Sequence, residues 1–171
     1  SDMPRTRTAA TLDGTLREAI HALKYLDRPD VARRLAALLE EPARAVIAGT
    51  RPVVVPIALH PLRLDVRGYN QSSLLATHLA RECGWVVMDA LARVRDTSTQ
   101  VGLGPAARRA NVAGAFAATT RLDGMHIVLV DDVLTTGATL IEASRACRSA
   151  GAASVVATCL ARDVATAIAA P

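Results

Sequence analysis

His126-Ile127-Val128-Leu129-Val130-Asp131-Asp132-Val133-Leu134-Thr135-Thr136-Gly137-Ala138-Thr139 decides how the rest of the chain is read. His126 to Val130 is a continuous apolar run after its first residue, the pattern of a strand buried on both faces. Two adjacent acids end that strand, and a Thr/Gly loop leads directly into a helix from about Gly137 to Ala150, closed by Gly151. Neighbouring carboxylates are costly to desolvate and repel each other. They need a compensating partner, such as ribose hydroxyls, a divalent metal or nearby arginines. The Thr-Thr-Gly-Ala-Thr loop offers consecutive backbone N–H groups and hydroxyls at a helix N-terminus, which suits a phosphate monoester. Gly137 permits close backbone approach. Acids for hydroxyls beside amides for phosphate describe a ribose 5-phosphate site.

Working outward, Val155 to Leu160 reads as another strand, and Val53 to Ile57 as a third, β-branched and buried. The stretch Val86 to Val94 contains a further strand. Helical spacing of apolar residues predicts helices over 15–26, from Pro29 to about Glu41, and from Asn70 or Ser72 to about Arg81, the last capped by Gly84. Residues 58–70 are basic and loop-like. Residues 95–107 are polar and punctuated by Gly and Pro, with a short helix near 105–112. Strands that are apolar runs alternating with helices imply an α/β fold, a parallel sheet with helices on both faces. Ligands then bind outside the carboxyl ends of the strands. The expected domain spans 12–162, after a tag scar and N-terminal extension at 1–11 and before a tail at 163–171.

Composition narrows the function. The chain has 171 residues, 51% apolar but only 2% aromatic: Tyr25, Tyr69, Trp85 and Phe116. So few rings make a poor base-stacking platform for single-stranded nucleic acid. Lys24 is the only lysine among 20 basic residues, and it lies in no Walker-type context. The net charge of +4 suits an anionic small ligand or weak attraction to nucleic acid. No run of 18 apolar residues or signal peptide is visible, so no membrane span is expected. Cys83, Cys147 and Cys159 form no C-x-x-C pair, and an odd, sparse count fits a reducing cytoplasm. His21, His60, His78 and His126 show no metal spacing, so no side-chain metal cluster is expected. Gly102-x-Gly104-x-x-Ala107 follows no strand and is rejected as a dinucleotide fingerprint.

The acidic strand and Thr loop resemble the signature of the type I phosphoribosyltransferases, which bind 5-phosphoribosyl 1-diphosphate (PRPP). Val55-Pro56-Ile57, His60-Pro61-Leu62-Arg63 and Arg67-Gly68-Tyr69-Asn70-Gln71 are similar to the ComF family pattern. So are Arg93, Arg95, Thr97, Gln100, Leu103, Arg108-Arg109, Asn111-Val112, Phe116 and the segment Ile20 to Tyr25. The resemblance implies that Asp131 and Asp132 hold the ribose hydroxyls at the catalytic centre. It implies that Thr135, Thr136, Gly137, Ala138 and Thr139 hold the 5-phosphate. It assigns about 94–112 to a flexible loop over the site, with Arg63, Arg67, Gln100, Arg108 and Arg109 toward the diphosphate, where planar guanidinium forks suit phosphate. Mg²⁺ is expected with the diphosphate, and a homodimer is common in the superfamily. The four-cysteine zinc module that many ComF proteins carry has no counterpart among three cysteines. Arg162-Asp163 occupies the usual acceptor-base position, but the acceptor itself is not readable. The leading expectation is a Mg²⁺-dependent phosphoribosyltransferase. Its rivals are a non-catalytic PRPP or nucleotide sensor and an interaction protein of DNA uptake. A receiver domain is disfavoured, because no lysine follows the acidic pair.

Overall fold

The computed structural model describes residues 2–47, 49, 51–95 and 110–164. Their elements run β1 (Arg5–Thr11), α1 (Gly14–Tyr25), a 3-10 turn (Pro29–Val31), α2 (Ala32–Ala37), α3 (Glu40–Ile47), β2 (Val53–Pro56), α4 (Pro61–Arg67) and α5 (Gln71–Cys83). Then come β3 (Val86–Val87), β4 (Leu91–Arg93), β5 (Phe116–Ala118), β6 (His126–Leu134), α6 (Ala138–Ser149) and β7 (Ser154–Arg162). The main sheet has the order β1-β7-β6-β2-β3, and every pairing in it is parallel. β4 and β5 pair antiparallel as a separate ribbon.

The apolar run of β6 explains the two layers. Ile127 and Leu129 pack on one side with Leu140, Ala143 and Cys147 of α6 and with Leu91 and Phe116 of the ribbon. Val128 and Val130 pack on the other with Leu23, Leu35, Leu75 and Leu79 from α1, α2 and α5. Successive side chains of a strand point to opposite faces, so a run that is apolar at every position needs cover on both. All four of these β6 residues are buried, and each such side chain contributes about 1.5–3 kcal/mol relative to exposure. The structure thus has the α/β architecture that the sequence pattern implies.

Several elements differ from the sequence reading. Residues 5–11, set outside the domain, form the edge strand β1, in register with β7 from Arg5–Val156 to Thr11–Arg162. Arg and Thr alternate there, so no apolar run announces a strand. The helix expected over 29–41 breaks into three pieces. Pro42 cannot sit in a helix interior, so a new helix, α3, begins at Glu40 with the proline in its first turn. The loop expected at 58–70 contains α4. Its ends are capped: Pro61 opens it, His60 Nδ1 accepts from the Leu62 N–H at 3.4 Å, and Gly68 closes it at φ 81°. None of its residues is buried, which is why no apolar periodicity revealed it. The strand expected within 86–94 divides, Val86–Val87 joining β2 and Leu91–Arg93 joining β5. Most of the short helix expected near 105–112 lies outside the described residues.

Candidate functional site

β2 crosses over to β3 on one side of itself, and β6 lies on its other side. Such a switch in strand order opens a crevice at the carboxyl ends of the strands. The β2–β6 ladder ends at Pro56–Val130, with one further bond from the Ile57 N–H to the Val130 carbonyl at 3.0 Å. β6 continues to Leu134 beside β7 alone. Asp131 and Asp132 are the first two residues past that point. They are therefore inside the strand, not at its end as expected, and stand where its neighbour stops.

The two carboxylates are held by the protein itself. Asp131 Oδ1 accepts from the Ser72 hydroxyl at 3.2 Å and from the Asp132 N–H at 2.9 Å. Asp132 Oδ1 accepts from the Val133 N–H at 2.6 Å. Lys24 Nζ lies 2.8 Å from Asp132 Oδ2. Asp132 is buried, while Asp131 is half-buried. Dense surroundings and the charge of Asp132 nevertheless push Asp131 up to about 7, with Lys24 pulling the other way. Burial lowers the Lys24 ammonium's affinity for its proton, but Asp132, with help from Asp131, outweighs this and raises its pKa. The compensating cation found beside the acidic pair is thus a lysine, Lys24.

The Thr loop is built differently. Gly137 takes φ 79° and caps α6, a left-handed conformation that glycine adopts at least cost. The Ala138 N–H reaches Thr136 Oγ1 at 3.4 Å. A Cβ at position 137 would stand 2.7 Å from Met3 Sδ, so the N-terminal segment packs directly on the loop. Of the arginines expected at the diphosphate, Arg63 and Arg67 sit on α4. The Arg67 guanidinium lies over the Tyr25 ring, 5.4 Å from its centroid, and donates to Gln71 Oε1. Gln100, Arg108 and Arg109 lie outside the described residues. Asp163 N–H bonds the Leu134 carbonyl at 2.9 Å, which brings the expected acceptor position beside the site strand.

Sequence reasoning missed two contributors, Lys24 and Ser72. Lys24 had one available signal, its isolation among nineteen arginines. Ser72 appeared only as a helix opener, a role that falls to Asn70, whose side chain accepts from the Ser72 N–H at 3.0 Å. Among the described residues no group of three or more His, Cys, Asp or Glu side chains could hold a metal ion.

A parallel sheet with an acid pair and a Thr/Gly phosphate-type loop at its switch point defines a class, and comparison agrees. The chain belongs to the phosphoribosyl transferase domain family, which matches residues 21–169, and within it to the ComF family. It is 37% identical over 169 residues to the DNA utilization protein YhgH of Escherichia coli K12, covering 94% of this chain and 73% of that one. It is 38% identical over 151 residues to YhgH of Salmonella typhi, covering 85% of this chain and 66% of that one. Competence protein F of Haemophilus influenzae is 34% identical over 134 residues, with 74% and 57% covered. The chain therefore spans about two thirds of the length of its Salmonella relative. In fold it is similar to a glutamine PRPP amidotransferase from B. subtilis complexed with ADP and GMP. There the TM-score is 0.54 at 20% identity, with 91% of this chain and 31% of that chain covered.

Proposed function

We propose that the chain binds PRPP in the crevice beyond Pro56 and transfers its 5-phosphoribosyl group to an acceptor with release of diphosphate. The observation that carries this reading is the acid pair at the strand-order switch, with the Thr135–Thr139 segment leading from the end of that strand into α6. Asp131 accepts from a ribose hydroxyl, and Asp132, held by Lys24, backs it in fixing the sugar ring. The loop amides and the Thr135, Thr136 and Thr139 hydroxyls bind the 5-phosphate at the start of α6. Held at both ends, the sugar presents C1 to an acceptor. Its bond to the diphosphate oxygen breaks with that electron pair leaving on the diphosphate, and the acceptor's lone pair forms the new bond at C1. On this reading Arg63, Arg67, Arg108 and Arg109 are the cations assigned to the leaving group. Mg²⁺, bound with PRPP, supplies further neutralisation of that charge. Among the described residues no side-chain cluster would hold the ion by itself, so it would enter the site together with PRPP.

Calorimetry with Mg²⁺-PRPP tests the site, and diphosphate release with a panel of nucleobases tests the transfer. Binding without turnover for any base favours a sensor. The names of the YhgH and competence protein F relatives favour a further role in DNA handling. That role requires salt-sensitive binding of DNA by this chain, and its absence in a titration between low and physiological salt counts against it.

A further inference from the structure

The acidic pair carries its own cation. Lys24 comes from the last turn of α1, and its side chain is 22% exposed where it meets Asp132, itself 5% exposed. The helix end that delivers it is fixed from outside. Tyr69 donates its hydroxyl to the Leu23 carbonyl, and Arg67 covers the ring of Tyr25. Arg67 ends α4 and Tyr69 lies between α4 and α5, while α5 supplies the Ser72 hydroxyl to Asp131. In a chain that uses arginine for every other basic residue, this slot holds a lysine. An ammonium is a compact point charge, whereas a guanidinium is a planar fork that needs more room.

We propose that Lys24 is a positioning residue of the sugar-phosphate site: it locks Asp132 as the fixed, charged member of the pair and leaves Asp131 as the member that a sugar hydroxyl engages. This rests on the PRPP reading above. The charge balance supports it. Two carboxylates and one ammonium carry a net charge of −1 when all are ionised, and one proton on Asp131 neutralises the group. Among the described residues, the other elements packed here add little charge. β2 brings Pro56 and Ile57, α5 brings Ser72, and β7 brings Cys159, whose thiol is kept neutral by burial and by the two acids. Burial and the charge of Asp132 tighten the hold of Asp131 on its proton, Lys24 is the cation that opposes them, and ligand binding near neutral pH releases that proton to solvent.

The test uses the full chain with Lys24→Met, Lys24→Gln and Lys24→Arg. Carboxyl carbon NMR follows the aspartates without ligand, and calorimetry measures Mg²⁺-PRPP affinity between about pH 6 and 8.5. Loss of the charge shifts the Asp131 midpoint upward by at least about one unit, which near pH 7 is about fivefold in affinity. The affinity recovers as pH rises, and Lys24→Arg stays closest to wild type. Lys24→Gln keeps a polar side chain of similar reach if the methionine variant does not fold. An affinity loss equal at all pH values, or an unmoved Asp131 titration, overturns the proposal. A wild type that binds no PRPP removes the parent reading instead, and the ligand-free titration still decides the part played by Lys24.

Discussion

Among the described residues, Asp131 and Asp132 are met by Ser72, Lys24 and the backbone N–H groups of Asp132 and Val133. The loop that follows them, from Thr135 to Gly137, shows among the same residues one side-chain hydrogen bond, long at 3.4 Å. These two halves of one crevice solve opposite problems. Charge placed beside an apolar core destabilises the fold unless partners are built in beforehand. Amides and hydroxyls at a helix start are satisfied by water and can wait for an anion. The acid half is thus constructed against its own cost, and the loop half is left open for a ligand to complete.

Substitution separates the halves, and the acid half has the larger effect. Asp131→Asn combined with Asp132→Asn weakens Mg²⁺-PRPP binding at least about tenfold in calorimetry, near 1.4 kcal/mol. Unchanged affinity would remove the acids from the ligand site. The same half strains the ligand-free fold. Because folding raises the pKa of Asp131 to about 7, its contribution to stability is complete below the unfolded value of about 4 and is lost as pH climbs through 7. Asp131→Asn therefore raises the melting temperature of the ligand-free protein most above about pH 7, by several degrees for roughly 1–2 kcal/mol. The gain shrinks as pH falls toward 4, and a gain independent of pH contradicts the assignment.

In the loop half, stability and binding fall together. Gly137→Ala forces a left-handed backbone on a Cβ and drives it into Met3. It costs about 1 kcal/mol, or roughly 2–4 °C in thermal unfolding, and PRPP affinity drops with it. Thr136→Ala gives the smallest effect. It loses one long hydrogen bond, within about 0.5 kcal/mol of wild-type stability, while binding weakens a few-fold. A large loss of stability from Thr136→Ala would show that the loop is as internally committed as the acid pair.

How much of this was legible follows from where each signal resides. The central strand, the acid pair and the glycine loop are consecutive in the chain, so local pattern exposes them, as does the two-sided burial that implies covering helices. Lys24 reaches Asp132 only through the folded arrangement of α1 against β6, and nothing near either residue in the sequence points to the other. β1 stayed hidden because its Arg-Thr-Arg-Thr alternation lacks the apolar run that marks a buried strand, being only a sheet edge. α4 stayed hidden because caps at both ends define it and no buried face does. The acid pair was expected at a strand's end because polarity changes there, yet the backbone pairing with β7 runs on to Leu134.

The pairing of β1 with β7 has a consequence for folding. It sets Arg5 opposite Val156 and Thr11 opposite Arg162, residues far apart along the chain. Contacts so distant in sequence slow folding, and residues 5–11 stay without a sheet neighbour until β7 is in place. An alternation of arginine and threonine keeps such a strand from pairing with the wrong neighbour. That edge of the sheet is therefore a late step, and its polar sequence is what makes the delay safe.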